Sequence, residues 1–376
     1  MDRSVVITGI GMVTPLGSDP ERVLDRIASG ESAVGEPSGF DAAPFDCRFC
    51  CEVTGFDAEA YFPENKTLRL MNRDAQLAVA AAHLAVRDAG LSIGSDYDAA
   101  EVALFGTTGF AGMPVGDVAR LVRNSAGADG GLDLRRFGRE ALRRIRPVLS
   151  FKILANMPIC FVSIFEGIRG PNAVYTPWEG QGARAVAAGM RAIRSGRVPC
   201  AVVGGCDVKT HAFAFITLQQ QGVFRSWRQS GKGTVPGEGA AFVVLEERER
   251  ARRRGARIRA RVVDGCVRTT DGEAPSEALS AVLAGLGADR PDVVVAAGDG
   301  EPVRREAEDL ALGEFGLQPG TVIRPKGHLG DLFAAAAAVQ MCLGAAAARK
   351  LRAGRRLWVN CFGHGSEMGA FALEAV

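Results

Sequence analysis

Five consecutive alanines followed by a valine, AAAAAV at residues 334–339, constrain this chain more than any other stretch. A helix built on them has no large side chain to reach across a gap, so burying it requires neighbours that approach its backbone closely. The pattern predicts a helix over residues 331–349, and EGQGARAVAAGMRAIRS at residues 179–195 reads as a second helix of the same kind. A third small-residue helix covers residues 75–91, and another covers residues 275–284. Residues 5–17 read as a buried strand followed by a glycine turn and a helix start, and apolar runs of strand length lie at residues 102–109, 201–204, 240–247, 258–263, 293–298 and 357–363. Strands apolar on both faces that alternate with helices call for a layered α/β architecture. Helices rich in Ala and Gly suit a buried layer, because only small side chains let the flanking elements come near.

Composition removes several function classes. The 376 residues carry 45 basic and 43 acidic side chains, a net charge of +2, which gives no electrostatic footprint for nucleic acid. The Arg-rich run at residues 248–261 reads as a solvated helix leading into a strand. No apolar run reaches the roughly 20 residues that span a bilayer, and the N-terminus enters a strand directly, so a cytoplasmic protein without membrane contact is expected. Nine scattered cysteines read as reduced thiols. Cys47, Cys50 and Cys51 lack a second ligand pair at zinc spacing, so no metal is expected. Gly9-x-Gly11 is followed by Thr14 where a dinucleotide fingerprint needs its third glycine, and no cofactor is implied.

Longer motifs give a sharper reading. The segment GPNAVYTPWEGQGARAVAAGMRAIRSGRVPCAVVGG, residues 170–205, resembles the nucleophile segment of the β-ketoacyl synthases, the thiolase-fold condensing enzymes. GKGTVPGEG at residues 231–239 resembles their Gly-Asp/Glu-Gly loop, with Gly237, Glu238 and Gly239 in register and Trp227 on the tryptophan upstream of it. CFGHGSEMG at residues 361–369 resembles their C-terminal Gly-Phe-Gly-Gly loop. The resemblance spans nearly the whole chain. It implies a duplicated five-layer α-β-α-β-α fold, with halves at residues 1–245 and 246–376 forming one pseudo-symmetric unit.

The departures from the family fall on its chemistry. Counting from Pro171, the position of the family's cysteine holds Glu179, and Pro177 and Trp178 replace the Thr-Ala before it. Ala297 and Asp331 stand where the resemblance places two histidines that assist malonyl decarboxylation. A carboxylate is a poor acyl acceptor at neutral pH, and without imidazoles the usual acid-base help is lost. Lys326 is retained and is expected to pair with Glu306. Glu179 is expected to lie at a helix N-terminus with its carboxylate near the amides of Gly180–Gly182. His328 is a candidate replacement imidazole, whereas His83, His211 and His364 are expected to be structural.

The resemblance therefore implies a chain length factor of a type II polyketide synthase: a non-catalytic subunit that pairs with an active ketosynthase and meets acyl carrier protein through that complex. Phe110, Ala111, Met113, Thr234 and Phe362 are the expected tunnel or gate residues. Two alternatives stay open, a malonyl-carrier-protein decarboxylase and a homodimeric scaffold repurposed for another acyl transfer.

Overall fold

In the computed structural model the described residues are 3–62, 66–110, 115–145, 149–270, 273–287, 289–298, 300–317 and 322–376. The apolar runs become strands. β1 (Val5–Val13), β2 (Val102–Thr108), β3 (Asn172–Tyr175), β4 (Cys200–Val208) and β5 (Glu238–Glu247) arise first along the chain. β6 (Ala260–Thr269), β7 (Val293–Val295), β8 (Val322–Ile323), β9 (Arg356–Phe362) and β10 (Glu367–Glu374) follow.

One pattern is written twice. The ten strands form a single sheet in the order β8-β7-β9-β10-β6-β1-β5-β4-β2-β3. Reading outward from the centre, each strand of one half has its counterpart five strands later in the other. The directions repeat as well: β2 is parallel to β3 and β4, as β7 is to β8 and β9. Antiparallel pairs link β4 to β5 and β5 to β1, as they link β9 to β10 and β10 to β6. The halves meet where Val5–Ile7 of β1 pairs with Ala260–Val262 of β6.

The helices repeat too. α1 (Pro20–Ala28) starts at an Asp19 cap. α2 (Arg73–Asp88) and α3 (Met157–Glu166) cover the outer face of the first half. α4 (Glu179–Arg194) precedes β4, and α5 (Ala212–Gln220) follows it. In the second half α6 (Pro275–Ala284) and α7 (Pro302–Glu314) cover the outer face, and α8 (Ala336–Ala348) precedes β9. The two central helices, α4 and α8, contact strands of both halves and each other.

Small residues permit this sandwich. A Cβ on Gly189 of α4 would lie 2.6 Å from Val203 Cγ2, and one on Gly344 of α8 would lie 2.6 Å from Val359 Cγ2. A Cβ on Gly182 would lie 2.5 Å from the Cβ of Ala337, so the central helices touch through a glycine and an alanine. α8 is buried at every position, as its alanine run predicts. The interior also holds Glu246, fully buried, which accepts from Thr8 Oγ1, Tyr97 Oη (2.6 Å) and Arg254 Nη2 (2.6 Å). Such a carboxylate is tolerable only because every oxygen is met.

Two local expectations need correction. The helix expected from residue 331 begins at Ala336. Before it, Asp331 N–H donates to Val235 O (2.7 Å) and Gly237 N–H donates to Asp331 O (2.8 Å), so a β-type bridge to the Gly-Glu-Gly loop outcompetes helix formation. Phe333 follows at φ 44°, a left-handed conformation that a bulky side chain adopts only under constraint. Residues 367–374 had no strand assigned, yet β10 pairs with both β9 and β6. Its central run is apolar on both faces, and Gly369 there abuts Ala183 of α4, so no side-chain alternation marks the strand.

The sandwich predicts a sharp size limit. Gly189→Val should destabilise the protein by about 1–3 kcal/mol through overpacking. Gly313→Ala, on α7 with nothing within 4 Å of the new Cβ, should be neutral or slightly stabilising. Guanidinium unfolding midpoints compare the two directly.

Candidate functional site

The N-terminus of α4 and the segment preceding α8 converge because Gly182 and Ala337 bring the two helices into contact. Glu179, the first residue of α4, is 1% exposed. Its carboxylate does not cap the amides of Gly180–Gly182 as expected. It reaches instead to the turn between β9 and β10, where His364 N–H donates to Oε2 (3.0 Å). Gly363 makes room, since a Cβ there would collide with the carboxylate. Oε1 has no hydrogen-bond partner among the described residues and lies 3.7 Å from Lys326 Nζ.

Lys326 enters from a four-residue helix, Lys326–Leu329, and its Nζ donates to Asp331 Oδ2 (2.8 Å). Asp331 Oδ1 accepts from Phe333 N–H (2.9 Å), which ties the carboxylate to the strained turn. Burial pushes the Glu179 carboxyl up, Asp331 pushes it further, and Lys326 only partly compensates, leaving it at about 7. Burial acts most strongly on Asp331 too, but Lys326, His364 and the hydrogen bonds from Lys326 and Phe333 together outweigh it and hold that carboxyl below its ordinary value. The lysine charge thus belongs mainly to Asp331, and Glu179 keeps its proton into the neutral range.

A third group is an imidazole. His364 Nε2 lies 3.1 Å from Thr234 Oγ1 and 3.5 Å from Arg304 Nη1. Its ring stacks on Phe333 with centroids 5.8 Å apart. Burial and then Arg304 push it down to about 3, so it is neutral. Arg304 is held by Gly363 O (2.9 Å) and by Glu301, whose carboxylate accepts from Arg304 N–H (2.9 Å). Side-chain donors of Glu179, Asp331 and His364 lie within 4.8 Å of one another, a spacing that could suit a cation. The donor set does not fit one: Lys326 already supplies the positive charge there, and both Asp331 oxygens are engaged.

The structure therefore brings together Glu179, Asp331, Lys326 and, through His364, Thr234. It separates others. Glu306 lies on the exposed side of α7, two residues from Glu308, the glutamate that is buried. Glu308 accepts from Ala297 N–H (3.0 Å), Gly298 N–H (2.9 Å) and Asn360 Nδ2 (2.7 Å). The expected Lys326–Glu306 pair is thus replaced by Lys326 with Asp331 and Glu179. Ala297 and Phe362 are buried in the outer core of the second half. His328 Nδ1 turns to Glu31 O (2.7 Å), away from Glu179. Phe110 lines a separate apolar pocket, and Ala111 and Met113 lie outside the described residues.

The site residues that sequence reasoning missed are His364 and Arg304. His364 was expected to be structural, although the loop containing it was already matched to a site motif.

Comparison with known proteins gives the family. The profile described as beta-ketoacyl synthase, N-terminal domain, matches residues 2–251. The chain belongs to the β-ketoacyl synthase family. Vibrio cholerae 3-oxoacyl-[acyl-carrier-protein] synthase 2 is 30% identical over 369 residues, covering 90% of this chain and 84% of that protein. Among solved structures, the ishigamide ketosynthase/chain length factor superposes with a TM-score of 0.82 at 24% identity, covering all of both chains. A type II PKS acyl-carrier protein in complex with its ketosynthase gives a TM-score of 0.77 at 16% identity, again over both full chains. At these identities the two structures speak for the fold. Among the described residues of this β-ketoacyl synthase relative, no helix is long and apolar enough to cross a membrane.

The raised Glu179 carboxyl has a testable sign. In the unfolded chain a glutamate loses its proton near 4.5, whereas in the folded protein Glu179 holds it to about 7. The unfolded state therefore binds fewer protons across that window, and this group's contribution to stability falls as pH rises through it. Glu179→Gln should gain stability relative to wild type between pH 5 and pH 8. Denaturant unfolding of both proteins at the two pH values checks this. Lys326→Met should cost about 3–5 kcal/mol at pH 8, because it strands buried carboxylates.

Proposed function

We propose that this chain is the non-catalytic partner of an active ketosynthase, a chain length factor that completes the pair and shapes the tunnel for the growing acyl chain. The observation that carries this reading is Glu179. Its carboxylate occupies the turn at Gly363 and His364 and accepts the backbone N–H there, leaving that donor engaged. A carbonyl oxygen developing charge at this point would have to displace a covalently tethered carboxyl group.

Thiol chemistry has no obvious substitute. Cys361, the cysteine nearest in sequence to the turn, is fully buried and donates to Val359 O, and burial drives its thiol far above the ordinary range. Burial likewise pushes Cys51 and Cys342 up to about 12. A thiol so far from ionisation is a weak nucleophile.

Surface features support a pairing role. β3 ends the sheet order, which leaves one strand edge open. Phe151, Leu154 and Ile164 are 43%, 50% and 64% exposed, an apolar set that favours a partner. Such a partner would be a ketosynthase, and acyl carrier protein would be met through the complex.

Co-expression with the ketosynthase encoded nearest to it tests the reading. A stable heterodimer is expected, and Glu179→Cys should not confer condensation, since Ala297 and Asp331 still bring no imidazole. Acetyl-carrier-protein formed from malonyl-carrier-protein by the isolated chain would instead establish a decarboxylase, and a stable homodimer indifferent to every ketosynthase would leave a scaffold.

A further inference from the structure

Trp178 borders two cavities of opposite character. One, of about 220 Å³, is apolar and lined by Phe110, Pro177, Trp178, Phe213, Ala214 and Leu218. The other, of about 660 Å³, is a polar mouth where Arg225, Ser226, Glu301, Arg304 and His364 face Trp178. The two share Trp178 and Gln221, and of these only the indole also touches the Glu179 site.

Three of the polar residues that line the apolar cavity, Lys209, His211 and Thr217, are engaged, the last through its hydroxyl to Phe213 O. Lys209 is bound to Asp207 and lies 5.9 Å from the centre of the Phe333 ring. His211 Nδ1 accepts from Ala214 N–H (3.2 Å), and burial pushes the imidazole down to about 4, so it is neutral. What these residues offer the cavity is hydrocarbon and ring surface. In the mouth, Ser226 Oγ donates to Glu301 Oε1 (2.6 Å), and Arg304 is committed to Gly363.

Trp178 is held in place. It precedes α4 as the N-cap residue in extended conformation. Its ring lies 6.2 Å from Phe333 and 6.1 Å from His364. Gly365 packs on it so closely that a Cβ there would lie 2.9 Å from Trp178 Cβ. A side chain fixed on three sides behaves as a wall. Phe110, which lines the same cavity, is 59% exposed and lies two residues beyond β2, the strand next to the edge strand β3.

We propose that Trp178 is the end wall of an acyl pocket filled from the Phe110 side, sealing that pocket from the polar mouth at Arg304 and His364 and thereby setting the longest chain this subunit accepts. This rests on the chain-length reading above and names a residue that determines it. The subunit's own mouth then leads nowhere, and a chain in the apolar pocket arrives from the partner's side.

The test uses the full chain, alone and bound to its ketosynthase, with straight-chain acyl N-acetylcysteamine thioesters brominated at the terminal carbon. Each added methylene should tighten binding about fourfold until the terminus meets the indole, and affinity should then stop rising. Bromine should quench tryptophan emission at that length. Trp178→Phe supplies the background from Trp227 and Trp358. Trp178→Ala should move the limit to longer chains, and Trp178→Leu, which retains more of the packing, should move it by less. An unchanged limit in both variants, or quenching that persists in Trp178→Phe, overturns the proposal and leaves the acyl pocket standing. Absence of thioester binding at every length removes the pocket itself, and with it the chain-length reading.

Discussion

The contact between the two central helices organises everything else. Gly182 and Ala337 allow α4 and α8 to touch, and each helix also carries a glycine pressed against a strand. Because the halves repeat one topology, the helices that touch are counterparts. Their N-terminal ends therefore converge, and whatever precedes them becomes one site: Trp178 and Glu179 from one half, Lys326 and Asp331 from the other. Larger side chains at the contact would move the ends apart and dissolve the site with no change to any of its residues.

The electrostatics follow from that convergence. Two acids and one lysine share a volume with little water, and the lysine cannot serve both acids equally. Asp331 holds it through a direct hydrogen bond and a fixed turn, so Glu179 is left with a backbone donor and its own proton. His364, beside Arg304, has no reason to become charged. The result is a site in which Asp331 and Lys326 hold each other directly, while Glu179 keeps one oxygen, Oε1, without a hydrogen-bond partner among the described residues.

Much of this was legible in the sequence, and the failures have physical causes. The AAAAAV run and the 179–195 segment gave the buried helices because side-chain volume is a local property. Glu179, Lys326 and Asp331 came from motif spacing, which survives as long as the backbone does. The expected Glu306 lies on the outer face and Glu308 on the inner one because helical phase, not composition, decides which glutamate turns inward, and two residues change the face. A loop motif does not say which side chains alternate inward: Phe362 is buried in the outer core, and His364, two positions later, meets Glu179 through its backbone N–H. The early helix start failed because Asp331 is held by residues 235–237, a pairing no local pattern contains.

The seam between β1 and its neighbours carries a consequence in time. Thr8 on β1 bonds to Glu246 on β5, 238 positions along the chain. At translation rates of roughly 5–20 residues per second, β1 waits on the order of 12–50 s before its first neighbour strand exists. During that interval a strand apolar on both faces is shielded by no partner of its own sheet. The first strand synthesised in its half is paired no earlier than any other there. Commitment to the native sheet is therefore an event of late synthesis, and the nascent chain depends on whatever covers that strand until β5 emerges.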